Sequence, residues 1–258
     1  MTQDLSYRRM LQRMGYYNYQ RGLIYHHLDE EGSWNEHLVN CRNFIIKAID
    51  YYKPSVVTVL GSGWLLDLPL AEMAESDCVI NLVDIVHPPE VKDQVKDLGN
   101  VVLKEDDVSG GLIDEVWKKA GRRTIFNRLK TISDIEVNEY KPRFDPGMVI
   151  SLNILTQLET LPVNLLVRKS NVNADEIINF RKRVQQMHLQ FLKKHRSVLI
   201  TDCSEIIRDS SGRSNELPSL LVDLPDAIVT QEWTWNFDLR KSDYYRKKSV
   251  FKVKALLI

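Results

Sequence analysis

The sequence predicts an α/β fold: a doubly wound, mostly parallel sheet that ends in an antiparallel β-hairpin and is preceded by a helical extension. Three observations point there. From residue 55 onward, short β-branched runs alternate with helical stretches, the pattern of a parallel sheet with helices on both faces. The first ~50 residues hold no strand-like run. Two strand-like segments at the carboxyl end are separated by a polar stretch too short for a crossover helix, so they pair as a hairpin.

The extension is assigned to residues 1–52, packed on a main domain over 53–258. Residues 4–14 carry Leu5, Met10 and Leu11, and Gly15 ends the pattern. The stretch with Tyr16, Tyr17, Tyr19 and Tyr25 either caps a pocket or packs the first helices together. Ser33 and Glu36 read as a capping box. Leu38, Cys41, Ile45, Ala48 and Ile49 then recur at helical spacing.

Five runs read as buried parallel strands: 56–60, 78–83, 101–103, 148–152 and 197–201. The helix before the fifth has Asn173 and Glu176 as a capping box. Its basic end, Lys193, Lys194, His195 and Arg196, complements the negative end of a helix. The hairpin is expected over 228–237 and 250–258, with Arg240, Lys241, Ser242 and Asp243 between. Residues 121–147 exceed what a link needs; a lid, an insertion and a dimer surface are the readings open there.

The 258 residues fit one α/β domain, and the balance of 35 Lys plus Arg against 35 Asp plus Glu excludes a strong non-specific nucleic-acid binder. Cys41, Cys78 and Cys203 are too few and too scattered for a disulfide framework or a zinc site, so no metal is expected. No window reaches the ~18 apolar residues of a membrane helix. The amino terminus lacks the apolar core of a signal peptide, and a cytoplasmic protein is expected.

The chemistry gathers after the first strand, in V-V-T-V-L-G-S-G-W-L-L-D over 56–67. Gly61 and Gly63 let the chain turn sharply and let a ligand approach the backbone. Helix amides beyond them can hold an anionic group. Pro69 suits a first turn, which places that helix start near Asp67 or Leu68. Asp84 ends the next strand at roughly the 20-residue distance of a ribose-binding acid. The third glycine of the common fingerprints is missing; Leu65 and Leu66 stand there.

These segments resemble the S-adenosylmethionine-dependent methyltransferases with the Rossmann-like, seven-stranded fold, over roughly residues 34–258. V-L-G-S-G-W-L-L-D is similar to that family's first motif, which implies that Gly61, Ser62 and Gly63 face the cofactor's methionine part. L-V-D at 82–84 resembles the second motif and implies that Asp84 holds the ribose hydroxyls. E-D-D-V-S-G at 105–110 implies that Asp106 or Asp107 meets the adenine amino group, with Val108 beside the ring. M-V-I-S-L-N-I-L-T-Q-L at 148–158 resembles the fourth motif, where Ser151, Leu152 and Asn153 would edge the methyl group. The hairpin matches the family's last two strands, which dehydrogenases lack.

The implied activity is methyl transfer from S-adenosylmethionine to an unidentified acceptor, expected to be a small molecule. Asn153 and Asp202 are the expected acceptor-side catalytic residues. No N-P-P-Y tetrapeptide follows the fourth strand, which weakens nucleic-acid bases as substrate. The rival readings are a nicotinamide-dependent oxidoreductase and a non-catalytic, methyltransferase-like binding module.

Plainer roles stand beside these. Asp106 and Asp107 read equally as turn acids, and Asn153 as a helix N-cap. Trp233 and Trp235 share a strand face that is more often core than pocket. His37 and His87 have no partner that sequence can name. A homodimer is compatible with everything above.

Overall fold

The computed structural model describes residues 5–124, 126–209, 211–240 and 247–258. In chain order its elements are α1 Leu5–Met14, α2 Tyr16–Asp29, α3 Asn35–Tyr52, β1 Val56–Leu60, α4 Leu70–Ala74, β2 Val79–Asp84, α5 Pro89–Val95, β3 Val101–Glu105, α6 Leu112–Ala120, β4 Met148–Leu152, α7 Thr160–Lys169, α8 Ala174–Leu192, β5 Ser197–Arg208, β6 Ser214–Pro218, β7 Val229–Asp238 and β8 Lys248–Leu257.

The strands form one sheet in the order β3-β2-β1-β4-β5-β8-β7. The first five run parallel, from β3 across to β5. β8 inserts antiparallel between β5 and β7. The strand order is therefore that of the Rossmann-like, seven-stranded fold, with β6 added alongside β5.

Alternating residues of the strands feed two hydrophobic clusters, one on each face. Val57 and Val59 of β1 join Phe44 and Ile45 of α3 on one face, while Leu60 and Val149 join Leu112 of α6, Phe180 of α8 and Leu11 of α1 on the other. Every one of these nine side chains except Phe44 and Phe180 belongs to residues from 0% to 1% exposed, so the strands read as near-continuous apolar runs.

The capping box at Asn173 and Glu176 forms as expected, with each side chain bonded to the other's backbone amide. Four local expectations do not hold. Ser33 is not the cap of α3: Trp34 precedes the helix without a side-chain cap bond, because the Ser33 hydroxyl donates to Glu30 and to the carbonyl of Asn236 at the end of β7. The helix after the glycine pair starts at Leu70 with Pro69 before it, not near Asp67 or Leu68. Asn153 is no N-cap: its φ is 50°, and helix resumes only at Thr160. β5 runs seven residues past Thr201, where it pairs with both β6 and β8. The polar stretch Lys241, Ser242 and Asp243 lies outside the described residues.

The segment 121–147 has no helix or strand of its own among the described residues. It packs on α8 and on the loop after β3. Arg183 donates to the carbonyls of Ser133 and Ile135, Lys194 pairs with Glu139, and Ile132, Ile135 and Tyr140 are buried. No described residue of it lines the central cavity.

Candidate functional site

In an open α/β sheet the ligand crevice opens beyond the carboxyl ends of the strands, where the winding reverses. Here that point lies between β1 and β4, and a cavity of about 190 Å³ sits there. Residues that directly follow β1, β2, β3 and β4 all line it: Gly61 and Gly63, Asp84, Asp106 with Asp107 and Val108, and Leu152 with Asn153.

The glycine turn is set by its own bonding. The amides of Gly61 and Ser62 both donate to the carbonyl of Val83, and the Gly63 amide donates to Asp84 Oδ2 at 2.8 Å. A Cβ on Gly61 would stand 2.9 Å from Ile154 Cβ and 3.0 Å from the Leu152 carbonyl, at a φ of 79°. Gly61 is therefore required by a close approach as well as by its conformation. These three amides have partners within the protein and leave no anion cradle at the turn itself.

The acids after β2 and β3 are likewise engaged. Asp84 also accepts from the amide of Ile85 at 2.7 Å. Burial pushes its carboxyl up, against the pull of the Gly63 N–H. Asp106 accepts from the Asp107 amide and from the Tyr140 hydroxyl, each at 2.9 Å. Asp107 accepts from the amides of Ser109 and Ile113 and clasps the start of α6. Its partial removal from water raises its pKa.

Three expected site residues are not among those lining the cavity. Ser62 is fully buried. Ser151 turns to the opposite side, where its hydroxyl meets His188 Nε2 at 2.8 Å and ties β4 to α8. Asp202 accepts from the Thr156 hydroxyl and braces the turn after β4.

The cavity has a roof and a far wall that sequence reasoning only partly foresaw. Tyr16, Tyr19, Gln20 and Leu23 of α2 form the roof. Gln20 fixes it: its amide donates to the Val86 carbonyl at 2.7 Å, and its own carbonyl accepts from Trp64 Nε1 at 2.8 Å. The far wall holds Trp34, His37, Asp67 and Trp235. Trp235 stacks on His37 with centroids 4.0 Å apart.

At this wall His37, Cys41 and Asp67 bring metal-capable atoms within 4.8 Å of one another. The arrangement does not fit a metal. Trp233 Nε1 can only donate, and it donates to His37 Nδ1 at 3.0 Å. The neutral ring therefore carries its proton on Nε2, the atom that would have to bind the ion. The space between the three is held by Asn153 Nδ2, 3.1 Å from His37 Nε2 and 2.8 Å from Asp67 Oδ2.

Burial keeps these groups uncharged or weakly charged. It pushes His37 down to about 3 and Asp67 up to about 6, and it raises the Cys41 thiol. The bonding couples Asp67 to the Asn153 amide. With Nδ2 toward it, Asp67 is ionised and the Nδ2 and Nε2 donors of Asn153 and His37 face each other; with the amide turned, Oδ1 accepts from His37 Nε2 and from a protonated Asp67.

No family model and no curated protein matches the chain. Among solved structures it is similar to the 1,6-didemethyltoxoflavin-N1-methyltransferase of Burkholderia thailandensis, with bound 1,6-didemethyltoxoflavin and S-adenosylhomocysteine. Identity is 11%, the TM-score is 0.37, and the match covers 100% of this chain and 92% of that one. The N-methyltransferase NodS of Bradyrhizobium japonicum, in complex with S-adenosylhomocysteine, is 9% identical, with a TM-score of 0.35 and 86% of each chain covered. A SAM-dependent methyltransferase of Aquifex aeolicus is 11% identical, with a TM-score of 0.29 and coverage of 79% and 82%.

Sequence reasoning missed Asp67, and it left His37 without a role. The signal was present in both. Asp67 is a lone carboxylate in an apolar run after the glycine pair, and His37 stands one helical turn before Cys41.

Proposed function

We propose that this chain is an S-adenosylmethionine-dependent methyltransferase acting on a small-molecule acceptor. The observation that carries the reading is the single cavity into which the ends of β1, β2, β3 and β4 converge, in a sheet with β8 inserted antiparallel between β5 and β7.

The electrostatics of the lining support it. Four aspartates line the cavity, with no lysine or arginine among the described lining residues. That environment suits a sulfonium cation and opposes a pyrophosphate. The glycine-turn amides that would hold a pyrophosphate are bonded internally, which counts against the nicotinamide reading.

The residues present fit the cofactor in outline. By the family resemblance Asp84 would meet the ribose hydroxyls, Val108 would lie beside the adenine, and Leu152 and Asn153 would edge the methyl group; all four line the cavity. When bound, the cofactor supplies a methyl group already activated by positive sulfur. The protein's work is then orientation, which alone contributes ~7–11 kcal/mol. The α2 roof and the aromatic wall exclude water and align the acceptor.

The test is calorimetric titration with S-adenosylhomocysteine, NAD and NADP, with melting curves in parallel. S-adenosylhomocysteine binds and raises the melting temperature; at about 100 times its dissociation constant it adds ~2.7 kcal/mol. NAD and NADP leave both readouts unchanged. Silence with millimolar S-adenosylhomocysteine removes the reading.

A further inference from the structure

The far wall of the cavity carries an acceptor chemistry of its own. Of the four lining aspartates, Asp84, Asp106 and Asp107 each accept two or more bonds from backbone amides or a tyrosine hydroxyl. Asp67 accepts one side-chain bond, from Asn153. Two buried polar atoms of residues lining the same cavity have no partner: Asn153 Oδ1, on the side chain that meets Asp67, and Trp235 Nε1, on the ring stacked on His37. Trp235 is only 7% exposed, and an indole N–H left unpaired at that depth costs ~1–3 kcal/mol. A ligand atom that accepted this N–H would remove that cost.

These atoms form one connected wall, since Trp235 stacks on His37, His37 meets Asn153, and Asn153 meets Asp67. The wall offers an acceptor at Asp67 and a donor at Trp235, between aromatic faces; no lysine or arginine is among the described lining residues, and the nearby Arg42 donates to the Leu66 carbonyl. Resting on the methyltransferase reading, we infer that the acceptor is an uncharged planar ring bearing an N–H and a neighbouring lone pair, an N-heterocycle or aromatic amine. Its N–H is met by Asp67, and its lone pair by Trp235 Nε1.

Asp67 is then the group that takes the proton. As the ring nitrogen bonds the methyl carbon, the electron pair of the carbon–sulfur bond returns to sulfur and the N–H proton passes to Asp67. His37 is unsuited to this, because its one lone pair already accepts from Trp233. The groups facing Asp67 are His37, Cys41 and Arg42 from α3 and Asn153 after β4. With these neighbours Asp67 titrates at about 6, ionised at neutral pH yet basic enough to be protonated by a neighbour.

The experiment uses benzimidazole as the probe and benzoate as its anionic counterpart, titrated with and without saturating S-adenosylhomocysteine. Benzimidazole binds about tenfold or more tightly than benzoate, and its binding weakens as pH falls through 6 and Asp67 is neutralised. Asp67→Asn weakens benzimidazole about tenfold, as expected for a lost charge-assisted bond, and leaves S-adenosylhomocysteine affinity within about twofold. Trp235→Phe, which removes a donor that no protein group uses, weakens benzimidazole in the same way and guards against a folding defect in the first variant.

Benzoate binding as well as benzimidazole overturns the inference. So does the absence of any heterocycle binding at about 10 mM, well past the millimolar range worth ~4 kcal/mol. An Asp67→Asn loss that falls equally on S-adenosylhomocysteine also overturns it, by assigning Asp67 to the cofactor. Failure of S-adenosylhomocysteine to bind removes the methyltransferase reading alone; the titration without it still reads the Asp67 pairing.

Discussion

Trp233 Nε1 donates to His37 Nδ1 at 3.0 Å, and this one bond decides the chemistry of the far wall. It holds the ring as the neutral tautomer with its proton on Nε2. It thereby disqualifies His37 as a base and as a metal ligand, and leaves Asp67 as the proton acceptor at the wall. Trp233→Phe strands a buried imidazole nitrogen, at a cost of about 1–3 kcal/mol. Urea melts measure the loss; an unchanged midpoint would mean that the bond does not form in solution.

The two glycines after β1 should separate cleanly. Gly61→Ala drives a Cβ against Ile154 and the Leu152 carbonyl at a φ of 79°, and the expected loss is about 2–4 kcal/mol. Gly63→Ala meets nothing nearer than the Gly61 carbonyl at 3.9 Å, at a φ of 50°, and costs about 1–2 kcal/mol from backbone conformation alone. Equal losses in the two variants would contradict the geometry of the turn.

Asp84→Ala removes the acceptor of the Gly63 and Ile85 amides. Both S-adenosylhomocysteine affinity and stability should fall, the latter by about 1.5–3 kcal/mol. A variant that binds normally would relieve Asp84 of any part in ligand recognition.

Tyr140→Phe cuts the side-chain bond from the 121–147 segment to Asp106. The loss expected for a hydrogen bond to a carboxylate is about 1.5–3 kcal/mol. Hydrogen exchange should quicken over residues 132–140 while the sheet stays protected. Uniform exchange across the chain would instead show that the segment folds as one unit with the core.

Acid sensitivity follows from His188, which burial pushes down to about 4. A histidine depressed in the fold is neutral there, while the unfolded chain takes up its proton near 6.5. Its stabilising contribution is complete above pH 6.5 and is lost as pH falls from there toward 4, at up to about 1.4 kcal/mol per unit. The stability advantage of the wild type over His188→Gln should therefore shrink across that window. Asp67 and Glu159, raised by burial to about 6 and about 7, act in the opposite sense. Their contributions are present in acid and lost as pH rises through those values, and both variants share them.

What sequence reveals here follows burial. β1 and β4 were legible to the residue because Val57, Val59 and Val149 are wholly enclosed, so composition and structure agree. β6 was invisible because S-N-E-L-P is exposed at all five positions and becomes a strand only by pairing with the extension of β5. The glycine turn and the acids after β2 and β3 were legible as local motifs that now line the cavity. The far wall was not, because Asp67, His37, Asn153 and Trp235 come from four distant segments and meet only through the sheet order. Ser151 and Ser62 show the converse: a motif places a residue in sequence, but the direction of its side chain is settled by neighbours such as His188.

The α2 roof buries none of its fourteen residues. It follows Gly15, a glycine at φ 96°, and meets the cavity rim through the two bonds of Gln20. Lifting it withdraws only the partly buried Tyr16 and Tyr17 from the cluster on the α6 and α8 face, and His26 from Phe237. The residence time of an enclosed molecule is consequently set by a local opening, on the microsecond-to-millisecond timescale of helix and lid motions. Release can be fast in a protein whose core unfolds slowly, and exchange of contents is uncoupled from the lifetime of the fold.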